Sequence, residues 1–318
     1  MNELEQNILA IIQDAFPLEE RPYLVLADQL GSDEQSVFAA VEGLRKSGII
    51  RRIGGIYDSM ALGFISRLCA GKVPTVVTGA ADDNALEKFA AAVNEIPAIT
   101  HNYVRSHEYN VWFTVIAQSE EEIQKIVDDV CAKTELHDVH VLSATKKYKI
   151  NTVMGGVVRR ALQPCKIPAR ILSDSDRTRI HIACDDIPHS LTPFKDWGVS
   201  CEELREDLAL KRMRRFGAIL RHQEAGFAFN AMVCLAELDK SPNNSAGAIL
   251  AQKPFISHCY DRPAFEGFPY TLYAMMHAQS ADELDRNIKE AAESIGNPDY
   301  VVLHSVRELK KTSYRFFA

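Results

Sequence analysis

The chain has 318 residues, room for two ordinary domains, and its composition (47% apolar, 25% charged) excludes a disordered or fibrous protein. With 36 basic and 43 acidic residues the net charge is −7, a field that repels polyanions and argues against nucleic acid as a partner. Seven scattered cysteines without a Cys-x-x-Cys pair, a polar and acidic N-terminus, and no apolar run of membrane-spanning length give a reading of a cytoplasmic protein with reduced thiols, no independent metal site and no membrane association.

Residues 2–54 read as three short helices and a wing. Leu4, Ile8, Ile11 and Ile12 form the first apolar stripe, Pro22 opens a second helix that Gly31 stops, and Asp33 caps a third with Val37, Val41 and Leu44 inward. The pattern is that of a winged helix-turn-helix, with Ile49–Ile56 as the wing. A DNA reader offers Arg, Lys, Asn or Gln at the start of its third helix, whereas Asp33 and Glu34 stand here, so a dimerisation or scaffold role is expected instead.

From residue 65 to 150 the order is β-α-β-β-α-β, a ferredoxin-like unit, with its last strand predicted over 139–149. Its second strand carries His101, Tyr103 and Arg105 at period two, on one face of the sheet, where each needs a polar partner. Residues 151–175 punctuate rather than pattern and read as a connection. The plan then recurs: a degenerate helical unit over 176–227 with an acidic third helix about a turn short, and a second β-α-β-β-α-β over 228–318 with a helix at 244–253. Arg51-Arg52-Ile53-Gly54 returns as Arg214-Arg215-Phe216-Gly217, and His101-x-Tyr103-x-Arg105 as His258-x-Tyr260-x-Arg262. Tyr109-Asn110-Val111-Trp112 returns as Tyr270-Thr271-Leu272-Tyr273. The predicted class is therefore α+β, a tandem duplication of a winged helix-turn-helix (1–64) plus a ferredoxin-like domain, forming an internal pseudo-dimer and leaving a homodimer open.

In this order, twice over, these motifs resemble the leucine-responsive regulator architecture and, within it, the siroheme decarboxylases of the alternative haem and haem d1 pathways, as a fusion of their two related subunits. The resemblance implies removal of two acetate carboxyl groups from siroheme to give 12,18-didecarboxysiroheme, with no cofactor beyond the iron of the substrate. It makes His101, His107, His222, His258, Tyr109 and Tyr270 catalytic candidates, with either His101 or His258 as the axial ligand to that iron. Arg105, Arg262, Arg51, Arg52, Arg214 and Arg215 become candidates for binding the substrate carboxylates. The repeats are not chemically identical, since His107 is matched by Ala264 and His222 by Ser59. His137, His140, His181, His189, His277 and His304 carry no motif and read as structural, and Lys146–Lys149 and Lys310–Lys311 as solvated strand ends. The competing reading is a haem-sensing transcriptional regulator, in which the same histidine ligates haem and signals.

Overall fold

The computed structural model describes residues 1–74, 83–150, 172–221, 229–236 and 245–318. The first helical unit is α1 (Glu3–Ile12), α2 (Pro22–Leu30) and α3 (Glu34–Lys46), followed by β1 (Ile50–Tyr57). Local chemistry sets the boundaries. Asn2 and Glu5 close a capping box on α1, Pro22 opens α2 where no amide partner is needed, and Gly31 ends it at φ +63°. The Asp33 carboxylate accepts the Ser36 amide and so starts α3.

The first lobe follows as β2 (Ile65–Gly71), α4 (Asp83–Asn94), β3 (Ile99–Arg105), β4 (Val111–Ala117), α5 (Glu120–Thr134), β5 (Val139–Leu142) and β6 (Lys146–Ile150). The second helical unit is α6 (Asp174–Ala183), α7 (Pro193–Trp197) and α8 (Cys201–Ala209), leading into β7 (Met213–Leu220). At nine residues against thirteen for α3, α8 is one turn shorter. The second lobe is β8 (Phe229–Leu235), α9 (Ala246–Leu250), β9 (Ile256–Asp261), β10 (Leu272–Ala278), α10 (Ala281–Ser294) and β11 (Tyr300–Lys311). No helix among the described residues is long and apolar enough to cross a membrane.

The two wings pair with each other: β1 runs antiparallel to β7, with Gly54 opposite Gly217. Each wing also closes on the other copy's helices. The Ile187 amide, beyond α6, donates to Ile53, and the Phe16 amide, beyond α1, donates to Phe216. A Cβ on Gly54 would overlap the Asp185 carbonyl, and one on Gly217 would lie 2.5 Å from the Ile12 carbonyl. Both helical units consequently share one apolar core, in which Phe16 meets Phe194 and Phe216 at 6.4 Å.

The remaining strands run in the order β5-β2-β4-β3-β11-β8-β10-β9-β6. The exchange that joins the lobes lies in their last strands. Tyr300–His304 of β11 pairs with β8 of its own lobe, and Ser305–Lys311 crosses to β3 of the other. The strand expected over 139–149 is interrupted for the same reason: β5 pairs with β2 and β6 with β9 of the second lobe, with a break at 143–145. Helices cover one face of each lobe over an apolar layer. A third apolar cluster, with Trp112, Met232, Phe268, Tyr273 and Leu303, joins residues of the two lobes. The helix expected at 244–253 is in its described part only the five residues of α9. Lys149 and Lys310 are not solvated strand ends. Lys149 donates to the Lys253 carbonyl at 2.6 Å behind α9, and Lys310 to those of Asn94 and Ile96 at 2.9 and 2.8 Å behind α4, where a cation meets the negative end of a helix.

Candidate active site

On β3, Ile99 and Val104 pack under α4 and α5, which turns His101, Tyr103 and Arg105 to the opposite face. A bulge adjusts the alternation. Ile99 pairs with Val115 and His101 with Thr114, which leaves Thr100 as the extra residue; on β9, Ser257 is the extra residue between Ile256 and His258. Both bulges place a hydroxyl against an imidazole. Thr100 Oγ1 lies 2.9 Å from His101 Nδ1, and Ser257 Oγ lies 2.9 Å from His258 Nδ1.

From there each strand builds the same ladder. The Tyr103 ring lies 6.5 Å from that of His101 at 27°, and Arg105 sits over Tyr103 at 5.3 Å. In the second lobe Tyr260 lies 6.2 Å from His258 at 25°, with Arg262 over it at 5.2 Å. Each arginine reaches into the other lobe: Arg105 donates to the Leu303 carbonyl and the Ser305 hydroxyl of β11, both at 3.0 Å, and Arg262 to the Leu142 carbonyl of β5. Burial pulls the Arg105 guanidinium down to about 10 and lowers that of Arg262 as well. Neither forms a salt bridge with a carboxylate among the described residues, so two buried guanidinium groups are held by neutral acceptors.

The wings supply the next charges. Arg51 donates to the Lys311 carbonyl at 3.2 Å and the Ser313 hydroxyl at 3.1 Å, and lies in the field of Tyr103 and Glu308. Arg214 donates to the Tyr57 carbonyl at 3.1 Å and faces Tyr260. Arg52 and Arg215, one residue on, are held largely by backbone carbonyls, although Arg52 shares the Ser313 hydroxyl with Arg51, at 3.0 Å. Arg52 reaches the Gly55 and Asp185 carbonyls at 3.2 and 3.4 Å, while Arg215 reaches Ala218 at 3.2 Å and also Gln13. The lobes differ opposite the tyrosines, where Glu308 faces Tyr103 and Lys147 faces Tyr260. Burial, Glu308 and a hydrogen bond to it push the Tyr103 phenol up. The Lys147 ammonium is lowered by burial and by Arg214, Arg262 and Arg67 around it, with Asp58 opposing.

His107, Tyr109 and Tyr270 lie elsewhere. His107 lies beyond the end of β3, in the turn before β4, where its amide donates to the Arg105 carbonyl at 2.9 Å. His107 Nδ1 accepts the Tyr109 amide at 3.0 Å, its ring meets Phe268 edge-on at 5.3 Å, and burial lowers its pKa. The Tyr109 hydroxyl bonds His140 at 3.3 Å, Asp138 at 3.4 Å and the Glu266 carbonyl at 3.2 Å, and the His140 ring stacks on Phe265 at 4.1 Å. Tyr270 reaches Asp299 at 3.5 Å. His222 lies outside the described residues. Among the described residues no group of three or more His, Cys, Asp or Glu side chains is placed to hold a metal ion. Sequence reasoning overlooked Thr100, Ser257 and Glu308; it read Lys147 as a solvated strand end and His277, whose Nε2 lies 3.1 Å from Ser257 Oγ, as structural. The repeat itself was a signal for Glu308 and Lys147, since they occupy matched places beside matched tyrosines.

The model of an AsnC-like ligand binding domain matches residues 61–149 and again 224–310, and that of a siroheme decarboxylase NirDL-like HTH domain matches residues 5–51. A siroheme decarboxylase of Hydrogenobacter thermophilus is 33% identical over 333 residues, covering 100% of this chain and 96% of that protein. The siroheme decarboxylase alpha subunit of Desulfovibrio desulfuricans is 45% identical over 150 residues, covering 47% of this chain and 82% of the subunit. A crystal structure of the siroheme decarboxylase NirDL in co-complex with an iron-uroporphyrin III analogue superposes with a TM-score of 0.70 at 28% identity, covering 99% of this chain and 95% of that one.

Proposed function

Because the chain belongs to the siroheme decarboxylase family, we propose that it converts siroheme to 12,18-didecarboxysiroheme by releasing the carboxyl groups of two acetate side chains, for haem or haem d1 synthesis. The observation that carries this reading is the duplicated His–Tyr–Arg ladder, with two buried guanidinium groups that no carboxylate among the described residues pairs. A polycarboxylate supplies the charge that such groups lack. Arg51 and Arg214 on the wings, with Lys147 in the second lobe, extend the cationic lining towards the side chains of the macrocycle. His101 and His258 are the two imidazoles at the head of the ladders, where one serves the iron of the substrate and the other moves protons.

Decarboxylation of an acetate on a pyrrole needs an electron sink. A proton delivered to the ring supplies it, the bond between the methylene and the carboxylate breaks, and CO2 leaves with its electron pair retained by the ring system. A second proton on the methylene carbon completes the methyl group, and the ring proton returns to its donor. Each CO2 released thus consumes one proton, which a histidine or tyrosine in the cleft delivers.

The regulator reading fits less well. In the first turn of α3, Asp33 is engaged in capping and Glu34 in pairing with Arg21, while Arg45 is bonded to Asp186 of the second helical unit. The first turn of the helix that would read DNA is thus occupied by two engaged carboxylates, and its last turn by a tie to the second helical unit. An anaerobic absorption titration with siroheme tests the site. One expects a Soret shift on binding that His258→Ala or His101→Ala abolishes while His107→Ala retains it; retention of the shift in both ladder variants would place the substrate elsewhere.

A further inference from the structure

The acceptors that hold Arg51 come from outside its own strand. Its Nη1 donates to the Lys311 carbonyl at 3.2 Å and its Nη2 to the Ser313 hydroxyl at 3.1 Å, at the end of β11 and just beyond it. Arg52 Nε reaches the same hydroxyl at 3.0 Å. A guanidinium has donors only and a hydroxyl oxygen has two lone pairs, so both arginines donate to Ser313.

The segment that carries Ser313 is anchored on both sides of it. The Thr312 amide donates to the Thr100 carbonyl at 2.7 Å and its hydroxyl to the same oxygen at 3.3 Å. Thr100 is the bulge residue beside His101 on the first ladder. Beyond Ser313, the Phe64 ring meets Tyr314 at 5.6 Å and Phe316 at 5.2 Å, within the shared helical core. The Phe316 carbonyl accepts from His181 Nδ1 on α6 at 3.1 Å, and Arg315 pairs with Asp185. These anchors place the Ser313 hydroxyl without help from Arg52.

The two arginines differ in what else engages them. Arg52 directs its Nη groups to the Asp185 and Gly55 carbonyls at 3.4 and 3.2 Å. Arg51 is half buried, forms no salt bridge among the described residues, and lies in the field of Tyr103 and Glu308. Arg214, its match in the second copy, is tied instead to the Tyr57 carbonyl of β1 at 3.1 Å.

We propose that Ser313 is a positioning residue for substrate binding: the segment after the last strand of the second copy reaches back to the first, and its hydroxyl holds the Arg51 guanidinium beside Tyr103, set for a carboxylate of the tetrapyrrole. This deepens the siroheme reading and rests on it for the identity of the ligand. A long side chain loses rotamer freedom when it clamps a carboxylate, and a fork held in place beforehand loses less.

The test is a double-mutant cycle on the dissociation constant of ferric iron-uroporphyrin, read from its Soret shift. Ser313→Ala should weaken binding by about fivefold. Ser313→Thr, which keeps the hydroxyl, should stay within about twofold of wild type. Because Ser313 acts through Arg51, adding Ser313→Ala to Arg51→Ala should change the constant by less than about twofold. A merely structural role would not give that pattern, since loosened packing weakens binding in either background. Wild-type affinity in Ser313→Ala, or a further loss of about fivefold in the double variant, overturns the role while leaving the siroheme reading intact. If the wild type itself binds no iron-uroporphyrin, the siroheme reading falls and the role falls with it.

Discussion

The paired wing arginines separate two tasks that a motif alone merges. Arg51 is the extra residue of a bulge in β1, and both it and Arg52 donate to the Ser313 hydroxyl, at 3.1 and 3.0 Å. Arg51 also lies in the field of Tyr103 and Glu308, whereas Arg52 also reaches the Asp185 and Gly55 carbonyls. Arg51→Ala should therefore weaken siroheme binding with little loss of melting temperature. Arg52→Ala should leave binding per folded molecule unchanged and cost about 1–3 kcal/mol in denaturant unfolding, because it strands buried acceptors. The reverse pattern would reverse the assignment. The period-two spacing made the ladder residues legible from sequence, since alternation puts His101, Tyr103 and Arg105 on one face whatever the tertiary context. His277 was not legible. The bulge at Ser257 brings a hydroxyl to its ring, and a one-residue slip in register leaves no mark in composition or spacing.

At the scale of elements, the wing ribbon and the crossing strands hold the copies together. Gly54 and Gly217 face each other across the ribbon, each beneath a backbone carbonyl of the other copy's helices. Gly54→Ala and Gly217→Ala should each destabilise the protein by about 1–3 kcal/mol through overpacking. Gly43→Ala, on α3 with open space around it, should stabilise by about 0.5–1 kcal/mol. Thermal unfolding of the three variants checks the contrast, and equal melting temperatures for Gly43→Ala and Gly217→Ala would contradict it. The glycine in each Arg-Arg-x-Gly motif thus has a packing reason. The helices and most strands could be read in advance because caps, glycines and apolar periodicity mark them locally. The exchange of β6 and β11 between lobes could not, since a strand that crosses to another sheet shows the same alternation as one that stays.

At the scale of the whole molecule, one chain carries two related halves, and one of its repeats has its counterpart in a relative's separate alpha subunit. The halves share a helical core, a wing ribbon and a third apolar cluster, so the clefts are built by both copies together. Duplication also freed the copies to diverge. Glu308 against Lys147 and Ile116 against His277 give one lobe a carboxylate beside its tyrosine and the other a cation and a second imidazole. The repeat was legible because its motifs return in order, whereas this division of charge emerges only when the crossing strands bring residue 308 to Tyr103 and residue 147 to Tyr260. The central claim is that this architecture removes two carboxyl groups from siroheme. Anaerobic incubation of the purified protein with siroheme, followed by mass spectrometry of the extracted pigment, tests it most directly. A product lighter by two CO2 units is expected, and none from His258→Ala or His101→Ala. A pigment that binds, shifts its spectrum and keeps its mass would contradict it and leave a tetrapyrrole sensor in its place.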